Sequence, residues 1–329
     1  MFKYILKRIG ISIFILLGVS FILYALLRCM PTDFVEAKII ALNTSGNTVT
    51  EEFKQQMYAT YGLDGNIFEG YASWISNVCR FDFGRSFISQ RSVLSEIFNG
   101  DRIGTSFLVA AVATIFEFMI AIPLGITAAT HQYSIRDYAV TVLVLIGISL
   151  PSFFFGQMLK DWFAIKLGWF PVSGMGDPNY TPSNWFEGAT DYLHHMFLPI
   201  LTVVILSIGG RMRMTRTNML EVLNSDYIRT ARAKGLKESK VIYKHAFRNT
   251  MIPLVTSLAG LIPSLFSGAM ITEKVFDLTG IGNYALTAMT QGDIPVIMTY
   301  NMFLAFLSVM GVLLADLMYG IVDPRVKLA

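Results

Sequence analysis

Of 329 residues, 53% are hydrophobic and 15% charged, and the formal net charge is +3. With a mean hydropathy of +0.53, the chain is too apolar for an ordinary soluble domain, so its organisation is set by runs able to cross hydrocarbon.

The first such run, residues 9–27, has no charged residue over 19 positions, close to the roughly 20 helical residues that span a bilayer. It exceeds a signal peptide's apolar segment and no small-residue cleavage site follows it, so a retained helix is expected. Further spans are expected near 104–129, 138–160, 195–212, 250–272 and 296–321, six in all. Pro151 should kink or break the third. Other interruptions at Pro123, Gly125, Pro253, Gly260, Pro263 and Gly268 point to helices packed on protein or lining a cavity, where freed backbone groups find partners.

Six spans put both termini on one side. The N-terminal Lys3, Lys7 and Arg8, the turn with Arg136, the ten cations of 211–249 and the terminal Arg325 and Lys327 make 16 of the 26 Lys and Arg residues, so these segments are expected in the cytoplasm. The long segment 31–103 is then extracytoplasmic. Within it, residues 48–62 read as a short helix, with Thr48 and Glu51 as a capping box and Gly62 as the stop. Cys29 and Cys79 fall on this side; a disulfide is open to them there, and two free, partly buried thiols are the plainer expectation. No internal repeat is evident. The expected division is an N-terminal helix over 1–30, an insertion over 31–103, a five-helix core over 104–322 that includes the loop 211–249, and a tail over 323–329.

Signatures of chemistry are missing. No G-x-x-x-x-G-K-[ST], H-E-x-x-H, C-x-x-C or G-x-S-x-G occurs, so a phosphate-binding loop, a zincin, a redox dithiol and the commonest serine hydrolase all lack their motif, and no catalytic or metal-binding residue is nominated. His194 and His195, adjacent in sequence, point to different faces of a helix and read as an interfacial polar pair. Two acids lie well inside expected spans, Glu117 and Asp316. An isolated acid per helix is better explained by a structural partner than by a proton relay, although intramembrane acids also mark solute paths. Glu117, Pro151, Ser152 and Gln157 are the candidates for such a path.

The basic segment 224–249 carries seven Lys or Arg against two acids in 26 residues. Membrane orientation needs only a few cations, yet this segment is patterned. Ser225 or Asp226 can cap a helix that ends at Gly235, with Lys234 at its negative end. Val241, Ile242, Ala246 and Phe247 give a second helix an apolar stripe. Ala231 and Ala233 leave a low surface for another protein's pocket, flanked by cations that would orient it. Anionic lipid is the rival partner, and nucleic acid comes a distant third because the loop lies close to the bilayer and its cations are not interleaved with aromatics.

At these residues the chain resembles the integral membrane permease subunits of bacterial ABC importers, in the oligopeptide and dipeptide branch. The family's loop is built around E-A-A-x-x-x-G followed by I-x-L-P; here those positions are Arg229, Thr230, Ala231 and Gly235, then Phe247 and Arg248, a departure at the Glu, at one Ala and at the Pro. The similarity also takes in YGLD (61–64), FDFGRSF (81–87), IPLGI (122–126), SLPSFFFGQML (149–159), FPVSG (170–174), RMTRTNMLEVL (213–223), the run 273–296 and the terminal VDPRVK. Leu278-Thr279 departs from the aromatic and Pro usual before the Gly280-Ile281-Gly282 turn.

The resemblance implies an all-α membrane protein of about six transmembrane helices, with a type I ABC importer-like permease fold and an external insertion after the first helix. It implies a non-catalytic pore-forming subunit in the bacterial inner membrane, coupled to ATPases through Asp226, Tyr227, Arg229, Thr230, Ala231, Arg232, Ala233, Lys234 and Gly235. It implies as partners a homologous second permease, two ATPase subunits holding ATP and Mg, and an extracytoplasmic binding protein. No cofactor is expected in this chain. Oligopeptides are the expected cargo, with dipeptides, glutathione or nickel chelates as alternatives. A secondary transporter is the rival of different class; it would show inverted repeats and midplane ion ligands. An intramembrane enzyme would need a paired nucleophile and base, or a metal triad.

Overall fold

The computed structural model describes residues 2–29, 55, 66–98, 101–177, 180, 182–251, 260–267 and 269–322. Among them the regular elements are helical, joined by one isolated bridge between Arg85 and Ser92. The helices are α1 (Phe2–Arg28), α2 (Ile67–Cys79), α3 (Val93–Phe98), α4 (Arg102–Thr130), α5 (Ile135–Ser149), α6 (Ser152–Leu159), α7 (Trp185–Leu223), α8 (Asp226–Ala233), α9 (Glu238–Lys240), α10 (Leu261–Ser267), α11 (Met270–Val275), α12 (Ile281–Gln291) and α13 (Ile294–Val322). Wider π-helical turns extend α6 over Lys160–Lys166 and α9 over Val241–Phe247.

Four stretches among the described residues are long and apolar enough to cross a membrane: Leu6–Leu26, Val93–Thr130, Trp185–Leu223 and Ile294–Leu314. They match the first, second, fourth and sixth expected spans. The third is broken, as Pro151 required. Leu150 is extended, Pro151 stands at the N-cap of α6, and α5 and α6 are separate helices. The fifth is described only in part: residues 252–259, with Pro253, lie outside the described set, and α10 and α11 meet at non-helical Ala269 rather than forming one rod. The expected helix over 48–62, the YGLD motif and residues 323–329 also lie outside the described residues, apart from helical Gln55. Both cysteines are free and exposed, not partly buried.

α1 buries one edge and leaves the rest bare. Phe14 and Leu26 are exposed, as suits a lipid-facing wall, whereas Ser20 and Tyr24 are fully buried. The Ser20 hydroxyl and the Tyr71 hydroxyl of α2 are hydrogen-bonded at 2.7 Å, and Tyr71 also donates to the Leu17 carbonyl. Tyr24, Trp74, Phe87, Ile294 and Met298 then form one cluster, so the described part of the insertion is packed on α1 and α13.

α7 is the longest element. Its 39 residues measure about 58 Å at 1.5 Å per residue, against a hydrocarbon core of about 30 Å. The Asn184 side chain caps it by accepting from the Glu187 amide at 2.9 Å. α7 therefore overruns the expected span 195–212 at both ends, because its polar flanks keep helical backbone while lacking the apolar signal. α4 packs along much of it. The closest approach is at Gly125, where an added Cβ would lie 2.7 Å from the Thr215 Cβ and 2.9 Å from the Met212 carbonyl oxygen. Glycine here lets the two backbones meet.

Candidate functional site: a braced loop joined to a polar cavity

After Leu223 the chain turns at extended Ser225 and re-enters helix as α8. The Ser225 hydroxyl donates back to the Val222 carbonyl at 2.6 Å rather than capping α8, and Asp226 supplies the acid of the first turn. Ile228 and Ala231, three apart, share one face and are buried with Ile126, Ala129, Met219, Val241 and Ala246. The second helical segment thus uses its apolar stripe as the sequence suggests, with Ile242 and Phe247 packed beside the same cluster.

Gly235 forms the elbow with φ of 72°, the left-handed region that glycine enters without a Cβ penalty. Arg232 reaches across it to Glu238, with Nη2 2.7 Å from Oε1 and Nε 3.2 Å from both carboxylate oxygens. These hydrogen bonds hold the Glu238 carboxyl below its ordinary range. The loop is also tied at its base: Asn249 Nδ2 donates to the Tyr227 hydroxyl at 3.0 Å, and buried Thr250 donates to the Met219 Sδ of α7 at 3.2 Å. The result is a fixed helix, elbow and helix.

Its outer face carries Asp226, Tyr227, Arg229, Thr230, Arg232, Ala233, Lys234 and Gly235, all exposed. Ala231 is not on that face. At 8% exposure it points inward beside Ile228, so the low outer surface expected from two alanines is supplied by Ala233 alone. Next to the elbow lies an open depression of about 570 Å³ bordered by the nominated Gly235 and by Leu236, Lys237, Lys240, Tyr243 and Lys244, five residues that the sequence did not single out.

Two ion pairs fasten α7 to its neighbours. Arg216 grips Asp137 of α5 through Nε and Nη2 at 2.9 and 2.8 Å, and Asp137 also accepts from the amide of Tyr133, whose φ of 62° is unusual for a non-glycine. The Arg216 hydrogen bonds hold the Asp137 carboxyl below its ordinary range. Farther along, Arg211 Nε donates to Glu117 Oε1 of α4 at 3.0 Å, with its guanidinium 4.5 Å from the centre of the Phe118 ring. Glu117 therefore has the structural partner expected of it. The side chain of Asp316 is not among those described.

The Glu117–Arg211 pair lines a cavity of about 310 Å³ whose other polar groups are Thr114, Ser207, Ser264 and Ser267. A second cavity of about 370 Å³ is mostly apolar, with Leu206, Met270 and Ile271 beside Ser152. The two share Val203, Ser207 and Ala269, so they adjoin. Of the four path candidates, Glu117 and Ser152 line this pair of cavities. Pro151 caps α6 without lining either, and Gln157, exposed about 140° around α6 from Ser152, lines neither.

At the opposite end of α7 the histidines are separately engaged: His194 Nε2 lies 2.8 Å from the Trp169 carbonyl and His195 Nδ1 2.9 Å from the Asp191 carbonyl. Among the described residues no three His, Cys, Asp or Glu side chains converge as metal ligands would. Two buried carboxylates bracket α12. Glu273 accepts from Ser106 of α4 at 2.6 Å and from the Asn283 amide at 2.9 Å, while Asp293 accepts from Ser86 and the Phe87 amide. Leu278 is fully buried, and its amide donates to the Glu273 carbonyl at 2.8 Å, so the departure at 278–279 is accommodated in a packed turn.

The family model described as the binding-protein-dependent transport system inner membrane component matches residues 121–328, and its companion for the N-terminal part of such membrane components matches residues 1–110. The chain is 36% identical to the oligopeptide transport system permease protein AppB of Bacillus subtilis strain 168, covering 99% of this chain and 100% of that protein. It is 33% identical to the dipeptide transport system permease protein DppB of Escherichia coli K12, covering 99% of each. A putative peptide transport system permease protein of Brucella abortus strain 2308 is also 33% identical, over 98% of each chain. Among solved structures, a chain of the MetNI methionine ABC transporter in inward-facing conformations aligns with a TM-score of 0.54 over 70% of this chain and 97% of that one, at 16% identity, a likeness of fold.

Proposed function

The chain belongs to the family of binding-protein-dependent transport system inner membrane components, and from that premise we propose that it forms half of the pore of an ATP-driven importer of oligopeptides. It is an integral membrane permease with the all-helical fold of ABC importers. In the proposed assembly a second, homologous permease completes the pore, two ATPase subunits carry ATP and Mg, and an extracytoplasmic binding protein delivers peptide. The loop end of α7 faces the cytoplasm, as do both termini.

The observation that carries this reading is the continuity of α7. One helix runs from the base of the braced loop, past Arg216 and Arg211, to Ser207 and Val203 in the cavity wall. A partner can shift a conformational equilibrium only through contacts that differ between states. A loop stiffened by Arg232–Glu238 and by the Ile228 and Ala231 packing transmits such contacts instead of absorbing them. ATPase closure would displace α8, α7 would carry the displacement, and the cavity would exchange access from one side to the other.

The test is co-purification of the ATPase subunits with wild-type protein and with the Arg229→Glu, Lys234→Glu double variant, whose positions lie on the outer face and bury nothing. Loss of the ATPases with the permease pair still assembled is the expected result. Undiminished association would refute the docking assignment.

A further inference from the structure

The two adjoining cavities divide by chemistry. One half presents a carboxylate and a guanidinium beside hydroxyls; the other presents Leu206, Met270 and Ile271. Their sizes fall at the lower end of the range of small-molecule sites. The charged half is well shielded, with Arg211 and Glu117 side chains 14% and 10% exposed.

We propose that Glu117 and Arg211 form a subsite for the charged ends of a small zwitterionic peptide, with an adjacent apolar side chain in the Met270 and Ile271 half. The inference rests on the importer reading and adds to it the groups that meet the cargo.

Binding at this pair is an exchange of charges. At rest each group neutralises the other across 3.0 Å. A solute with one charge, or none, that separated them would leave a charge in a low-dielectric site without a partner. A zwitterion avoids this: its carboxylate replaces Glu117 on the planar guanidinium while its ammonium replaces Arg211 on Glu117. Ser207 offers a hydroxyl that donates or accepts according to the peptide group it meets, whereas the Ser264 hydroxyl already donates to the Leu261 carbonyl at 2.7 Å. When the peptide leaves, the two side chains re-pair, so the empty cavity carries no unpaired charge. Such a site reads the two ends and little between them.

The test is site protection in the full transporter, reconstituted in phosphatidylcholine nanodiscs. Cys29 and Cys79 are replaced by Ser, and Ser264→Cys places a thiol on the cavity wall for maleimide labelling. At a concentration where trialanine slows labelling about tenfold, N-acetyl-trialanine amide, which lacks both charges, should slow it less than about twofold, an affinity difference of at least about ninefold, or about 1.3 kcal/mol. This comparison leaves the Glu117–Arg211 pair unaltered and requires only that the Cys29→Ser, Cys79→Ser, Ser264→Cys background assembles. In the Glu117→Gln, Arg211→Gln background, with labelling without peptide unchanged, trialanine protection should fall below about twofold.

Equal protection by the blocked peptide, or protection that survives the double variant, would overturn the subsite. Slowed labelling on adding phosphatidylethanolamine, with no peptide present, would assign the cavity to lipid headgroups and overturn it too. If trialanine never protects while the α8 variants still lose the ATPases, the subsite falls and the importer reading stands. If those variants keep the ATPases, the docking assignment on α8 falls, and the labelling comparison alone decides the subsite.

Discussion

The same pairing of arginine with carboxylate occurs at the two ends of this account, in opposite surroundings. Arg232 and Glu238 on the loop are 44% and 54% exposed, whereas Arg211 and Glu117 in the cavity are 14% and 10% exposed. Exposed pairs contribute about 0–1 kcal/mol because water already serves both charges. A shielded pair behaves otherwise: its formation gains little, but removing one partner leaves the other stranded. The loop pair therefore acts as a brace that fixes an angle. The cavity pair is poised to exchange partners.

Substitutions can break this contrast. Glu117→Leu, which strands Arg211, is expected to cost about 3 kcal/mol in unfolding of the solubilised protein, and Glu117→Gln with Arg211→Gln should recover most of that. If the single and double changes were equally mild, the cavity pair would be no more shielded than the loop pair. Gly125→Val tests the wall that holds Arg211 in place. With a Cβ only 2.7 Å from that of Thr215, it should cost about 1–3 kcal/mol by thermal melt and loosen α4 from α7. Gly235→Ala, which forces a Cβ into φ of 72°, should cost about 1 kcal/mol and weaken ATPase association more than it lowers the melt. Arg232→Ala is the smallest, within about 1 kcal/mol.

The pair at Asp137 lies between the extremes, with Arg216 27% and Asp137 5% exposed, and it sharpens the comparison through pH. Arg216 holds Asp137 below its ordinary range, so the folded protein binds that proton less readily than the unfolded chain. The stabilisation is fully present above the unfolded carboxylate value near about 4 and is lost as pH falls through the lower folded value. Melting between about pH 5 and 8 should be indifferent to this pair. Below about pH 4 the melt should fall, and Asp137→Asn should flatten that acid-side slope.

What the sequence made legible was local. The charge-free run of α1, the break at Pro151, the elbow at Gly235 and the stripe of Val241 and Ala246 each follow from spacing or from one residue's backbone constraint. The length of α7 was hidden because residues 185–194 are too polar to read as a span. Ala231 was placed on the wrong side although Ile228, three residues earlier, already marked the inward face. The tertiary pairings were out of reach: Glu117 finds Arg211 across 94 positions, Asp137 finds Arg216 across 79 and Ser86 finds Asp293 across 207. Glu117 stood out as an intramembrane acid, but no periodicity or motif announces which cation turns toward it. The polar cavity followed only when that pair was seen with Ser207, Ser264 and Ser267 around it.

The central claim, that the outer face of α8 is where an ATPase subunit docks, is tested most directly by crosslinking from two neighbouring alanines. With Cys29 and Cys79 replaced by Ser, Ala233→Cys and Ala231→Cys are introduced singly into the assembled transporter and treated with a short cysteine-to-amine crosslinker. A crosslink to the ATPase subunit from position 233 and none from position 231 is the predicted result. Crosslinking from 231 but not from 233, or from neither, would contradict the account.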